Sequence, residues 1–190
     1  IIMEDEEMDF RQINSTGFTL LELISTLVIG SILVAAAIPS YQSLHERSRM
    51  AASVNLFMSH LYQARSEAIK RERYVTLCPS SNGSDCIADY TQWAQGYIVF
   101  IDSNKDKKRD AGEQVLSYYE GEDEKLIIHS SSNFRKVVTY YPTGRAWSFN
   151  TTIRICSKIS DDYNRAVIIA STGRPRLSKV MADGSKVVCE

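Results

Sequence analysis

The sequence predicts an α+β chain: one long N-terminal α-helix, whose first half is apolar enough to cross a membrane, packed on a mainly antiparallel β-sheet head. Three observations carry this. Residues 18–38 are an apolar run of 21 residues with one charge, Glu22. Apolar side chains then recur at helical spacing up to about Arg73. From Tyr74 the pattern changes to short runs rich in Val, Ile and Tyr between turn residues, with no second long helix and no βαβ alternation.

The whole chain has 190 residues, 44% hydrophobic and 24% charged. That is ordinary for a globular protein and excludes a disordered, collagen-like or multi-span chain. The formal charge of −1 excludes a global basic field for nucleic acid, but the distribution is uneven. Residues 1–17 are net −4, residues 102–124 are net −4, and residues 135–190 are net +6, so an anionic partner is to be sought at the C-terminal end.

The elements follow in order. At 1.5 Å per residue, the run 18–38 spans about 30 Å as a helix, the thickness of a bilayer core. A cleaved secretory signal with Ala35-Ala36-Ala37 as its cleavage site is the other reading. The run is longer than a signal core, and export has no use for a buried carboxylate, whereas a charge inside a membrane segment is by default functional. Pro39 should kink the helix without ending it. Beyond it, Val54, Phe57, Met58, Leu61, Ala64 and Ala68 form one apolar stripe, opposite Arg49, Gln63, Glu67, Lys70 and Arg71. His60 adjoins the stripe and reads as a packing residue. Strands are expected at 74–77, 96–101, 114–119, 126–129, 136–141, 153–156, 166–170 and 186–188.

The run Gly17-Phe18-Thr19-Leu20-Leu21-Glu22 resembles the class III leader junction of type IV pilins and type II secretion pseudopilins. The junction, the acid, the uninterrupted apolar run and the proline just past it occur together. The resemblance implies cleavage by a prepilin peptidase between Gly17 and Phe18 and methylation of the new N-terminus. Glu22 would then be fifth in the mature chain. A neighbouring subunit's Glu22 can neutralise the Phe18 amine in the membrane, where an unpaired carboxylate would cost several kcal/mol, so the pair sets a register for stacking. The organisation is a leader over residues 1–17, a helix over 18–73 with its span at 18–38, and a head over 74–190.

This leader is acidic and 17 residues long, where the family's is short and basic. A start at Met8 leaves a ten-residue leader of zero net charge, which makes residues 1–7 a start-site artefact on this reading. Arg47 and Arg49 lie just beyond the span, so orientation rests on the leader and not on charge. The head is similar to the GspH/FimT group through Ala64-Arg65-Ser66-Glu67-Ala68, Trp93 with Gly96-Tyr97-Ile98-Val99-Phe100, and Pro142-Thr143-Gly144-Arg145. The resemblance implies a minor pilin or pseudopilin held once across the bacterial inner membrane with its head in the periplasm. It would then pass into a pilus tip or pseudopilus. Its partners would be other pilins, the inner-membrane assembly platform and the prepilin peptidase, with no cofactor.

The four cysteines all fall in the head, where an oxidising compartment favours disulfides, and they allow three pairings. Cys78 and Cys86 bracket a self-contained polar loop, which favours that pair. Cys156 with Cys189 follows by analogy with the family. Residues 102–113 carry acids or an amide at positions 1, 3, 5, 9 and 12 of an EF-hand-like loop. Against calcium, Lys107 stands where a glycine is wanted, four bases would repel the ion, and no second helix follows. A solvated hairpin is the plainer reading, with Asp102, Asn104 and Asp106 as the ligands of a weak Ca²⁺ site on the other.

In Ser171-Thr172-Gly173-Arg174-Pro175-Arg176, Gly and Pro stiffen a turn on which Arg174 and Arg176 can point to one side, a geometry suited to adjacent phosphates. Lys179 and Lys186 would extend the patch. The run resembles the G-R-x-R element of FimT-type minor pilins, which implies DNA binding during natural transformation. The alternative is a turn whose arginines pair with the acidic stretch 102–124 or with a neighbouring subunit. No nucleophile elbow, His-bearing metal pair or phosphate-binding glycine loop points to an enzyme. Type IV pilus and type II secretion both remain open, since leader and head are common to the two.

Overall fold

The computed structural model describes residues 17–121, 126–147 and 151–189. Residues 1–16 of the leader 1–17 and the acids Glu122, Asp123 and Glu124 lie outside the described residues. The helix α1 runs over Leu20–Arg71, 52 residues, and continues through Pro39. Thr19 caps it: the Glu22 backbone N–H donates to Thr19 Oγ1 at 3.2 Å, the bond an N-cap hydroxyl makes three residues on. At the other end Arg73 N–H donates to Ala68 O and Glu72 N–H to Ile69 O, which closes a Schellman motif. Glu72 takes the left-handed position of that motif at φ +53, where glycine is usual, and so the helix stops two residues short of the expected Arg73.

The described residues up to Ser43 form one compact unit and those from Leu44 a second. The second unit holds eight strands: β1 (Val75–Pro79), β2 (Gly96–Ile101), β3 (Val115–Glu120), β4 (Leu126–Ser130), β5 (Val138–Tyr140), β6 (Thr151–Ser157), β7 (Arg165–Ile169) and β8 (Pro175–Ser178). They make two four-stranded sheets, ordered β3-β2-β1-β5 and β4-β6-β7-β8. The strand pairs are antiparallel throughout.

One core joins both sheets to the helix. Met50, Val54, Phe57, Leu61, Ala64 and Ala68 are buried with Val75, Leu77, Trp93, Tyr97 and Val99 on one side and Ile128, Ile153, Ile155, Val167 and Ile169 on the other. The buried stripe begins earlier than the sequence suggested, at Glu46 and Met50, and Met58 only flanks it. Phe57 meets Trp93 and Tyr97 edge to face, with centroids at 5.7 and 5.3 Å. Such pairs add about 0.5–1.5 kcal/mol each beyond their buried area.

The last expected strand, 186–188, is not formed. Lys186 makes only an isolated bridge to Val180. The carbonyls of Val187 and Val188 are taken instead by Asn164 Nδ2 at 3.0 Å and an Arg154 guanidinium nitrogen at 2.8 Å. Side chains thus satisfy backbone groups that a ladder would otherwise have to satisfy. Its place in the sheet goes to β8, which the proline concealed. Pro175 stands first on an edge strand, the position where a missing N–H costs no ladder bond.

Candidate functional site

Two surfaces are candidates for function, one in each unit. In the first, Phe18 is 82% exposed, and Leu20, Leu21, Leu27, Ile32 and Leu33 are each exposed by more than half. This stretch of helix is long and apolar enough to cross a membrane. Its hydroxyls are satisfied within the helix: Ser25, Thr26 and Ser31 donate to carbonyls three residues back at 2.8–2.9 Å. That leaves no side-chain hydroxyl seeking water, as a bilayer requires. Glu22 is the single charge in the run, in the first helical turn, exposed, and at the third helical position, where the helix dipole favours an anion.

The second surface is built from two turns in contact. The tripeptide Thr-Gly-Arg occurs twice, at 143–145 and 172–174. Both glycines have left-handed backbone, at φ +75 for Gly144 and +80 for Gly173. They touch: a Cβ added to Gly173 would lie 1.9 Å from the Gly144 carbonyl oxygen. Helix α1 holds the pair. Arg65 Nε donates to Gly144 O at 2.8 Å, and Tyr62 Oη donates to Pro175 O at 3.3 Å. Ala146 N–H donates to Ser171 O, so the two turns share a backbone bond as well.

This scaffold leaves Arg174 and Arg176 exposed on either side of the buried Pro175, with Lys179 exposed just beyond. Arg145 is also exposed, on the partner turn. The sequence reading missed Arg145, and the repeated Thr-Gly-Arg was the signal that pointed to it. Among the described residues none of these four cations forms an ion pair, while Lys186 lies 3.7 Å from Asp161 in an exposed pair. Pairing of the arginines with the acidic stretch is therefore not seen among the described residues.

The cysteines form two bonds, Cys78–Cys86 and Cys156–Cys189. In the loop 102–113, Asp102 is fully buried, and its Oδ2 accepts from Thr76 Oγ1 at 3.0 Å and Lys107 N–H at 3.1 Å. Burial pushes its carboxyl above the usual range. Asn104 Oδ1 accepts from Asp106 N–H, Asp106 Oδ1 from Lys108 N–H, and Glu113 from Ser103 and Asp110 N–H. The loop is thus folded on its own backbone donors, with Lys107 itself making the sharp turn at φ +66. Among the described residues no group of three or more His, Cys, Asp or Glu is placed to hold a metal ion.

His60 Nδ1 lies 2.6 Å from Tyr97 Oη, and its ring packs against Tyr97 and Tyr119. Burial lowers its pKa, which fits a packing role.

The chain is similar to several known proteins. The family model of the type II transport protein GspH matches residues 53–173, and that of the prokaryotic N-terminal methylation motif matches residues 13–38. The pilin-like protein PilA1 of Thermus thermophilus is 27% identical over 165 residues, covering 85% of this chain and 97% of its own. The crystal structure of the Pseudomonas aeruginosa type IV minor pilin FimU superposes with a TM-score of 0.56 at 21% identity, over 70% of this chain and 90% of that one. The minor pseudopilin EpsH of the Vibrio cholerae type 2 secretion system gives 0.46 at 13% identity, over 67% and 94%.

Proposed function

The chain belongs to the GspH family and is a minor pilin or pseudopilin of a type IV pilus or type II secretion system, and from that premise we propose that it is a minor pilin of a type IV pilus tip or initiation complex. Its relative that matches over nearly full length is named pilin-like, which favours the pilus. The observation that carries the filament role, common to both systems, is the bare apolar stretch of helix that starts at Leu20, three residues after Gly17, and holds Glu22 as its one carboxylate up to Ile38. Cut after Gly17, it would present a free Phe18 amine to Glu22 of the next subunit. That pairing offsets two charges that hydrocarbon would penalise separately. Before assembly the same helix would hold the protein once across the inner membrane, with its head in the periplasm, until the assembly platform extracts it.

The finer proposal is DNA contact at the paired turns. Arg145, Arg174, Arg176 and Lys179 are exposed and held on backbone that two touching glycines and Arg65 fix. Few phosphates would be neutralised, so binding would be non-specific, with a Kd of about 10⁻⁴–10⁻⁶ M that weakens with salt. A type II secretion pseudopilin without DNA binding is the second reading, favoured by the family's own description. Deleting the gene separates them: loss of surface pili supports the first reading, and loss of exoprotein secretion with pili intact supports the second. For DNA, titration of duplex against the full chain in detergent at two salt concentrations should show a salt-dependent shift that Arg174→Ala with Arg176→Ala removes. An unchanged affinity in that variant would refute the turn as the contact.

A further inference from the structure

We propose that a cleft in the head, separate from the paired turns, binds single-stranded nucleic acid by stacking a base on the exposed Phe134 ring and pairing phosphates with lysines. The cleft has a volume of about 710 Å³ and lies between the disulfide loop at Asp85 and Cys86, the loop 106–110, and the segment 134–137. That size falls within the range of small-ligand sites.

Two aromatic rings line it. Phe134 is 91% exposed, a large bare ring on a short 3₁₀ turn (Asn133–Arg135) with no place in the core. Trp147 carries the Lys107 ammonium 3.0 Å from its ring centroid. Around them stand four cations, Lys107, Lys108, Arg109 and Lys136. Among the described residues none of the four forms an ion pair. Arg109 is held in place by its Nη2, which donates to Glu113 O at 3.3 Å. Partial burial also holds the Lys107 ammonium below its ordinary pKa, a shift that the charge of a bound anion would oppose.

Three acids share the rim, Asp85, Asp106 and Asp110, so the cations of the lining exceed the acids by one. Asp106 accepts from Lys108 N–H, Asp110 from Asn104 Nδ2, and Asp85 from Asn82 Nδ2. Each carboxylate is thereby committed to shaping its own loop. Ile87, Ala88 and Val137 supply an apolar floor. The bare Phe134 face, cations that outnumber the rim acids and an apolar floor match the needs of a single strand, whose bases are unpaired and whose backbone is anionic. A duplex hides its base faces and has no use for Phe134. An acidic peptide would engage the lysines but gain little from the ring.

The test uses the full chain in detergent and an oligothymidylate of about twelve nucleotides. Trp93 is fully buried, so of the two tryptophans Trp147 should report binding by a change in fluorescence. The oligonucleotide should bind with a Kd near the non-specific range of about 10⁻⁴–10⁻⁶ M and weaken with salt. Phe134→Ala should weaken it about tenfold, the effect of one lost stack, without endangering the fold because the ring is outside the core. Lys108→Ala with Lys136→Ala should flatten the salt dependence, and Arg174→Ala with Arg176→Ala should leave the Trp147 signal intact. No binding at about 100 μM protein, a concentration inside that range, overturns the proposal. So does unchanged affinity in Phe134→Ala, equal competition by polyglutamate, or tighter binding of duplex. If the Arg174 and Arg176 changes alone abolish binding, the cleft is refuted while the paired turns stand.

Discussion

Replacing Gly173 with alanine should unfold the head more readily than almost any other one-methyl change. The added Cβ would sit 1.9 Å from the Gly144 carbonyl oxygen, far inside contact distance, and the obstacle is backbone. Gly173 also holds φ +80, where an L side chain costs roughly 1–2 kcal/mol. To relieve the clash the two turns must part, which breaks or stretches the Arg65 bond to Gly144 O and the Ala146 bond to Ser171 O. A hydrogen bond from a charged group contributes about 1.5–3 kcal/mol. The two effects together come to roughly 3–5 kcal/mol. At about 2–4 °C per kcal/mol for a chain of this size, the melting temperature should fall by roughly 6–20 °C.

Gly144→Ala is the internal control. Its Cβ would meet Ile69 Cδ1 at 2.7 Å, the far end of a flexible side chain that can rotate away. It should therefore be the milder change, with the backbone penalty of about 1–2 kcal/mol as its main part. Thermal melts of the two variants beside the wild type, followed by circular dichroism in one detergent, check the order. If Gly173→Ala melts within about 2 °C of the wild type, less than one kcal/mol on the same scale, or above Gly144→Ala, the contact between the turns is not what the head is built on.

Glu22→Ala should still be cut after Gly17 but enter sheared filaments poorly, whereas a bulky residue at Gly17 should leave an uncut membrane-bound precursor; immunoblots of membrane and sheared fractions report both. Opening the Cys156–Cys189 bond, which spans 33 residues, should destabilise the head by about 3–4 kcal/mol, and opening Cys78–Cys86, which spans 8, by less; denaturant melts of the paired serine variants give the order. His60 and His129 both have pKa values lowered by burial, so each binds protons more weakly folded than unfolded. Their stabilisation is present above the ordinary histidine pKa of about 6.5 and is lost as pH falls through the lower folded values. Melts should therefore drop below about pH 6.5, and less so in His60→Phe. Calcium at about 1 mM, the weak end of protein sites, should leave the melt unchanged if the loop 102–113 is complete without metal. A saturable rise lost in Asp102→Asn would instead establish the calcium site.

The elements that could be read from the sequence were those whose signal is local. The 3.6-residue stripe from Val54 to Ala68 expresses one face meeting one core, and the unbroken apolar run Gly96–Ile101 is a strand buried on both faces, with Tyr97 and Val99 in the core against the helix and Ile98 and Phe100 in a second cluster. The helix end was less legible, because it depends on Glu72 accepting a glycine-like φ. β8 was hidden for a related reason: Pro175 signals a turn, and only its place on an edge next to β7 makes it a strand. Lys186 to Val188 has the composition of a strand, but Asn164 and Arg154 reach its carbonyls first.

The paired turns show why a site is harder to read than a fold. Each Thr-Gly-Arg looks like an ordinary turn, and nothing in either says that the other lies against it. The contact is backbone on backbone, so it leaves no apolar pattern, only two glycines 29 positions apart in the sequence. In the sequence Arg65 stands out only within the helix-end run Ala64-Arg65-Ser66-Glu67-Ala68. Its bond to Gly144 O turns it into the brace that sets where Arg145 and Arg174 emerge. An exposed arginine held by a rigid turn loses less freedom on meeting a phosphate than one on a loose loop. The rigidity that makes Gly173 intolerant of a methyl is therefore the same property that would make its neighbouring arginines useful, and a Gly173 variant that survives folding should lose DNA affinity without losing a single charge.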